Sequence, residues 1–190
     1  MSERTKIHDF LKVTSALTRA QFLEKYNHPV LLQLLTPDGD PMAVAEQKKM
    51  IRRKARRLTQ DLIKTPIETG AFVLADRSPI TGHFYFIMNA GSTTKRSFIG
   101  VGTDPTSDIT LTNPAISQRH GFFKYVNGMT FSDAGSKNGT LLNKQKLATR
   151  KPEKLINQDA LLFGNVSAFS FLTANGFYEF LRACSLAPSI

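Results

Sequence analysis

The chain has little of what several common classes of protein require. A single cysteine among 190 residues, Cys184, excludes an intramolecular disulfide framework. No apolar run approaches the roughly 18 residues that a membrane-spanning helix needs. The first ten residues are polar and lack the apolar core of a signal peptide. We therefore expect a cytoplasmic protein.

The motifs of common catalytic sites are also lacking. The chain has no phosphate-cradling Gly-rich loop, no C-x-x-C and no G-x-S-x-G. Its histidines at positions 8, 28, 83 and 120 are scattered and lack metal-ligand spacing. The sequence therefore predicts a protein that is not an enzyme and that holds no metal or cofactor.

Positive charge is in excess. The chain has 25 Lys and Arg against 15 Asp and Glu, which gives a formal net charge of +10. A basic chain attracts anions such as nucleic acid, acidic lipid or phosphorylated protein. The charge is dense only in residues 48–57, which include seven Lys or Arg.

The first 66 residues have a sequence pattern typical of helices. Thr18 and Gln21 form a capping-box pattern, which predicts a helix that runs to about Tyr26. Residues 30–35 are a short apolar run, either a strand or buried extended chain.

A second helix is predicted from Asp40, an N-cap residue before Pro41, to Pro66. Its apolar residues fall on one stripe and basic residues occupy the remaining circumference. Such a helix either packs its apolar stripe against the rest of the domain, which is the interpretation we favour, or binds DNA or an anionic membrane.

From about residue 70 to 172 the pattern changes to short strands separated by turns. Asn127-Gly128 is a strong hairpin signal between two of them. The candidate strands are residues 72–74, 83–88, 97–101, 121–126, 129–132, 140–142, 161–163 and 167–172. Closely spaced strands of this kind favour a mainly β fold, a two-sheet β-sandwich. Residues 177–182 predict a short C-terminal helix packed on the sandwich.

One ordered set of residues has a specific spacing. The set is Gly102, Ser117-Gln118-Arg119-His120, Asp133, Ser136-Lys137-Asn138-Gly139-Thr140 and Asn143. It resembles the forkhead-associated (FHA) domain, a family that binds phosphothreonine in partner proteins. The resemblance covers residues 70–172 and implies a two-sheet sandwich whose loops, at one end, grip an extended peptide. More loosely, the chain is similar to bacterial signalling proteins that place a helical segment ahead of such a domain.

The resemblance divides the chain into a helical N-terminal extension (1–66), an FHA domain (67–175) and a C-terminal helix and tail (176–190). It also implies two sets of residues. The predicted phosphopeptide contacts are Thr103, Ser117, Gln118, Arg119, Lys137 and Asn138. The predicted loop-structural residues are Gly102, His120, Asp133, Gly139, Thr140 and Asn143.

The implied roles follow from donor chemistry. A phosphate dianion needs several converging donors. Ser117 falls where the family's Ser hydroxyl donates to the phosphate, position 137 faces the phosphate, and Asn138 bonds the peptide main chain. The alternatives are a Ser that caps its own backbone and a solvated turn lysine.

Thr103 departs from the family pattern, which usually has Arg there. A hydrogen bond to a charged group contributes about 1.5–3 kcal/mol, so its loss weakens binding by about one to two orders of magnitude. Candidate replacements for the charge are Lys95, Arg96, Arg119 and Lys137. Two hypotheses stay open: binding that depends on phosphate, and a phosphate-independent scaffold with a degenerate pocket.

The sequence thus predicts a signalling adaptor that acts downstream of a Ser/Thr kinase and binds a phosphorylated protein. The ligand is either a partner or the chain's own N-terminal segment, where Thr5, Thr14, Thr18 and Thr36 are candidates. Thr14 fits best, because Leu17 follows three places on. Binding of nucleic acid or anionic membrane by the basic helix is the third hypothesis.

Overall fold

The computed structural model describes residues 4–34, 82–88 and 97–185, together with Glu46 and Lys49. Within these residues, twelve strands form two sheets. The strands of the larger sheet are β1 (Thr5–Lys6), β2 (Val30–Leu34), β3 (Gly82–Phe86), β8 (Thr140–Leu142), β9 (Gln145–Lys146), β11 (Ala160–Phe163) and β12 (Ser167–Leu172). The strands of the smaller sheet are β4 (Ile99–Gly102), β5 (Ile109–Thr110), β6 (Gly121–Tyr125), β7 (Met129–Asp133) and β10 (Glu153–Lys154).

The strand order shows how distant parts of the chain meet. The larger sheet runs β1-β3-β2-β12-β11-β8-β9 and the smaller one β10-β7-β6-β4-β5. In the larger sheet β2 lies between β3 and β12, where Leu32 is opposite both Phe84 and Ser170. Neighbouring strands are antiparallel except β4 and β5, which are parallel.

The main core unites residues of both sheets. Phe123 and Phe131 from the smaller sheet join Phe163 and Phe169 from the larger one in a single buried cluster. The rings of Phe131 and Phe163 stack across the interface with centroids 5.3 Å apart. Such close contact between inward-facing side chains is what holds the two layers together.

A second core lies between the larger sheet and helices. The helices of the described residues 4–34 and 97–185 are α1 (Ile7–Thr14), α2 (Arg19–Lys25) and α3 (Ala174–Ser185). Phe10 of α1, Phe22 of α2 and Phe177 of α3 belong to one buried cluster with Phe84 of β3. Phe177 lies 4.7 Å from Phe84 and 5.8 Å from Phe10, centroid to centroid. The described residues therefore form three layers, which are the helices, the larger sheet and the smaller sheet.

Strand β2 has both of its faces covered. Leu31 lies in the core between the sheets, whereas Val30, Leu32 and Leu34 lie in the core under the helices. All five residues of β2 are buried. This double burial explains why the segment is apolar at every position except Gln33 rather than alternating between apolar and polar residues.

The structure confirms the predicted fold class, a mainly β two-sheet sandwich with helices at the N- and C-terminal ends of the described chain. The capping box before α2 is present, since the Thr18 hydroxyl accepts from the Gln21 N–H and the Gln21 side chain accepts from the Thr18 N–H. Of the apolar run at 30–35, residues 30–34 form strand β2, and residue 35 lies outside the described residues. The C-terminal helix begins earlier than predicted, at Ala174, because the Thr173 hydroxyl caps it by accepting from the Gly176 N–H.

The predicted boundary at residue 66 lies outside the described residues and stays a prediction. Within the described part, the segment ahead of it is not purely helical, because β1 and β2 are strands of the larger sheet. Of the predicted basic helix, the structure describes only Glu46 and Lys49, which are helical and exposed. The candidate strand at 72–74 and the residues Thr36, Lys95 and Arg96 also lie outside the described residues.

Thr14 is poorly placed to act as a modified ligand. Its side chain is 5% exposed, and its hydroxyl donates to the Phe10 carbonyl at 2.8 Å. A kinase could reach this hydroxyl only if α1 left the helical layer. The structure therefore gives the hypothesis of self-recognition through Thr14 no support.

None of the described helices is long and apolar enough to cross a bilayer.

We expect the helical layer to be an integral part of the folded unit. Phe22→Ala should lower the free energy of unfolding by about 3–5 kcal/mol, because it opens a cavity beside α1 and α3. Tyr125→Ala is the matched control, since Tyr125 is 76% exposed against 1% for Phe22, and should change stability by less than about 0.5 kcal/mol. Urea unfolding measures both. A Phe22→Ala effect as small as that of the control would contradict an integral helical layer.

Candidate functional site

Three loops meet at one end of the sandwich. They are residues 103–108 between β4 and β5, 111–120 between β5 and β6, and 134–139 between β7 and β8. The Thr103 N–H donates to the Ser117 carbonyl at 3.1 Å, and the Asp104 N–H to the Gln118 carbonyl at 3.1 Å. The Lys137 N–H donates to the Ser117 hydroxyl oxygen at 2.9 Å. Ser117 therefore joins the first and third loops.

Gly102 permits the first of these approaches. A Cβ at this position would lie 1.8 Å from the Gln118 carbonyl oxygen and 2.9 Å from that of Ser117. Both neighbours are backbone atoms, which cannot move aside without breaking the loop. The glycine is thus required by close backbone contact rather than by an unusual dihedral angle.

The predicted contact residues differ in exposure. Ser117 is half-buried, while the side chains of Gln118, Arg119 and Lys137 are exposed. The Ser117 oxygen already accepts from the Lys137 N–H, and its own proton is available to donate outward. This arrangement puts a hydroxyl donor among exposed polar and cationic side chains, which suits an anion.

Asn138 is held by two contacts. Its side-chain NH₂ donates to the Ala115 carbonyl at 2.9 Å, and the Asn165 amide donates to the Asn138 carbonyl at 3.5 Å. Gly164, at φ 61°, lets Ala115 come close, since a Cβ there would lie 2.5 Å from the Ala115 oxygen. The contacts of Ala115 and Asn165 with Asn138 were not predicted. The Ala115 contact uses a backbone carbonyl, which leaves no trace in the sequence.

His120 connects the loops through an ordered chain of hydrogen bonds. The Ser117 N–H donates to Nδ1 of His120 at 3.4 Å. A backbone N–H can only donate, so Nδ1 is unprotonated and Nε2 carries the proton. Nε2 then donates to the Thr140 hydroxyl at 3.1 Å, which donates to Oδ2 of Asp133 at 2.7 Å. The imidazole is fully buried and must be neutral to complete this chain.

Burial lowers the pKa of His120 below its ordinary value, although the Asp133 carboxylate opposes the shift. Burial alone would raise the pKa of Asp133, but hydrogen bonds from Ser136, Thr140 and Gly135 outweigh it and lower the pKa. Both shifts favour neutral His120 beside ionised Asp133. This is the pair of protonation states that the hydrogen-bond chain requires.

Asp133 shapes the loop that carries Lys137 and Asn138. Its Oδ1 accepts from the N–H groups of Gly135 and Ser136, at 2.9 and 2.8 Å. Its Oδ2 accepts from the hydroxyls of Ser136 and Thr140, both at 2.7 Å. The carboxylate therefore folds the start of the loop onto the end of β7.

Gly139 and Asn143 lie at opposite ends of β8. Gly139 has φ 76°, which an L side chain rarely adopts. Asn143 has φ 50°, and its side-chain NH₂ donates to Asp159 at 2.7 Å, away from the three loops. Asn143 therefore braces the turn after β8 and lies apart from the other predicted residues.

The loop at 103–108 carries an anion where the resemblance predicts a cation. Thr103 is half-buried and is followed by Asp104. Hydrogen bonds from the N–H and hydroxyl of Thr106 lower the pKa of Asp104, and the positive charge of Arg119 lowers it further. Arg119, one candidate replacement for the missing arginine charge, thus lies within electrostatic reach of a carboxylate.

Among the described residues, no group of His, Cys, Asp and Glu is arranged to hold a metal ion.

The His120 chain predicts a loss of stability in mild acid. Because the folded-state pKa is lowered, the unfolded chain takes up the proton more readily. The contribution of neutral His120 to the free energy of unfolding is therefore complete above pH 6.5. It is lost as the pH falls below that value, by at most about 1.4 kcal/mol per pH unit. Urea unfolding at pH 7.5 and 5.5 measures this loss, which His120→Gln should reduce.

His83→Gln is the control, because the pKa of His83 is also lowered, by partial burial and by Arg4 and Lys6. If the pH dependence disappears in His83→Gln and persists in His120→Gln, the buried chain is not its source.

The FHA domain family model matches residues 99–164. No curated protein matches the chain at a significant level. Among solved structures, the chain is similar to the yeast Dun1 FHA domain in complex with a doubly phosphorylated Rad53 peptide. The identity is 20%, over 80% of this chain and 78% of that one, with a TM-score of 0.45.

It is also similar to the FHA domain of CT664 from Chlamydia trachomatis, with 18% identity over 76% of this chain and 96% of that one and a TM-score of 0.41. For the MEK1 FHA domain in complex with a phosphothreonine peptide from HOP1, the identity is 24%, over 47% and 87% of the two chains, with a TM-score of 0.40. The family match runs from β4 to the end of β11 and contains all three loops. Residues 99–164 of this chain therefore match the FHA domain family model.

Proposed function

We propose that this protein is a non-enzymatic, cytoplasmic signalling adaptor that binds phosphothreonine-containing segments of a partner protein. A Ser/Thr kinase acts upstream by creating the ligand. Ser117 donates its hydroxyl proton to the phosphate, Lys137 supplies a positive charge, and Asn138 bonds the main chain of the ligand.

The observation that carries the proposal is the 2.9 Å hydrogen bond from the Lys137 N–H to the Ser117 oxygen. It joins the two loops that hold the residues proposed to contact the phosphate. A phosphate dianion is bound well by donors that are already fixed before it arrives, because little ordering entropy is then lost on binding. The buried side chains of Asp133 and His120 hold these loops in place through hydrogen bonds.

The loop at 103–108 favours a second candidate function, that of a phosphate-independent scaffold. Thr103 provides no positive charge, and Asp104 next to it is an anion with a lowered pKa. A pocket with this loop could bind a protein segment without phosphate, as a scaffold. The two candidates differ in one measurable respect, which is the dependence of affinity on the phosphate group.

Binding of a phosphothreonine peptide library should greatly exceed binding of the same peptides without phosphate. Ser117→Ala should weaken the phosphorylated peptides by about ten- to hundredfold, because a hydrogen bond to a charged group contributes about 1.5–3 kcal/mol. It should leave the weak binding of the unphosphorylated peptides unchanged. Fluorescence anisotropy with labelled peptides measures both.

Ser15→Ala is the matched control. Ser15 is exposed at the C-terminal end of α1, in the helical layer, and this variant should bind like the wild type. Equal affinity for phosphorylated and unphosphorylated peptides would support the scaffold candidate and remove the proposed phosphate dependence.

Restoring a cation at position 103 should tighten binding. Thr103→Arg adds a charged donor next to the Ser117 loop, so the affinity for phosphothreonine peptides should rise by about ten- to hundredfold. Thr103→Gln, which adds length without charge, should change it less than threefold or so. Equal gains in both variants, or no gain in either, would show that position 103 does not face the phosphate.

A further inference from the structure

Lys146 brings a second lysine to the loop that carries Asn138. It lies on β9, where it pairs with Leu141 of β8. A Cβ added at Gly139 would lie 3.2 Å from Cε of Lys146 and 4.0 Å from its Nζ. The lysine stem therefore crosses the open side of Gly139, and its ammonium group lies beside the residue that follows Asn138.

The loop after β9 keeps to the same end of the sandwich. The Leu147 N–H donates to the Thr140 carbonyl at 2.9 Å, and the Arg150 N–H donates to the Asp133 carbonyl at 2.7 Å. These bonds hold residues 147–150 against the loop of Lys137 and Asn138. The backbone of Arg150 thus belongs to the rim of the candidate site.

The positive charges on this side are not neutralised within the described part of the chain. There, Lys137 and Lys146 form no salt bridge, whereas Lys151 pairs with Glu153 at 3.0 Å. On the opposite side of Ser117, Arg119 acts on the Asp104 carboxylate. The charges around the site are therefore uneven, because the Asp104 carboxylate lies on the side of Arg119 whereas Lys137 and Lys146 lie on the side of β8 and β9.

We infer that Lys146 determines specificity, and that the segment recognised carries acidic side chains beside its phosphothreonine. The inference rests on the proposed function and names the class of ligand: an acidic phosphothreonine segment rather than a neutral or basic one. An acidic side chain next to the phosphothreonine, where the ligand passes Asn138, comes within Coulombic reach of the Lys146 ammonium group.

Lysine stems also cover glycines for packing alone, and the chain contains a matched example. Lys154 lies over Gly128 with the same separations, 3.2 Å from Cε and 4.0 Å from Nζ to a Cβ position. Gly128 is in the hairpin between β6 and β7, at the end of these strands away from the three loops. Lys154→Gln therefore reproduces the packing change of Lys146→Gln without touching the site.

The experiment compares two peptides with the same central phosphothreonine. One has Asp and Glu on both sides, and the other has Asn and Gln at the same positions. The acidic peptide should bind more tightly to the wild type. Lys146→Gln should weaken the acidic peptide by about two- to fivefold, the range of an exposed ion pair, and leave the neutral peptide unchanged. Lys154→Gln should affect neither, and added salt should shrink the difference.

The outcomes separate this inference from the proposed function. If both phosphorylated peptides bind tightly but with equal affinity, or if Lys146→Gln and Lys154→Gln weaken the acidic peptide equally, Lys146 has no role in specificity and the proposed function stands. If neither peptide binds better than its unphosphorylated form, the proposed function fails and this inference fails with it.

Discussion

A buried carboxylate, Asp133, determines the geometry of the candidate site. It accepts hydrogen bonds from two backbone N–H groups and two hydroxyls, and through Thr140 it fixes the neutral tautomer of His120. His120 in turn accepts from the Ser117 N–H. One charged group at the end of β7 thereby positions residues on two loops that are separate in the sequence. Because unpaired charge is costly inside a protein, this network holds only while each of its members is present.

The layered packing gives these loops a rigid base. The smaller sheet contributes β4, β6 and β7, whose ends carry all or part of each loop, and its inner face is filled by phenylalanines that contact the larger sheet. The larger sheet is covered on its other face by three helices of the described chain. Residues ahead of the family match, in α1, α2 and β2, are therefore part of the same folded body as the site.

Much of this could be predicted where a local signal exists. The capping box at Thr18, the Asn127-Gly128 turn and the Asn138-Gly139 turn each mark an element boundary, and the structure has strands or a helix there. Helix α1 gave no such signal, because its N-cap Lys6 makes no side-chain cap. Strands β9 and β10 are two residues long and only their pairing partners define them. The motif residues were predicted to be neighbours, but several of the bonds that join them use backbone groups, which every residue has, so the sequence could not specify them.

The position of β2 has a consequence for the order in which the protein can form. Ribosomes release a chain from its N-terminus, so Val30–Leu34, which is apolar except for Gln33, emerges long before Ser167–Leu172, the strand against which it must align. Until then the backbone N–H and C=O groups that β2 will pair with β12 have no partner strand. A largely apolar segment in this state associates readily with other incompletely folded chains. The larger sheet of the described residues can therefore be completed only after the last of its strands has been synthesised.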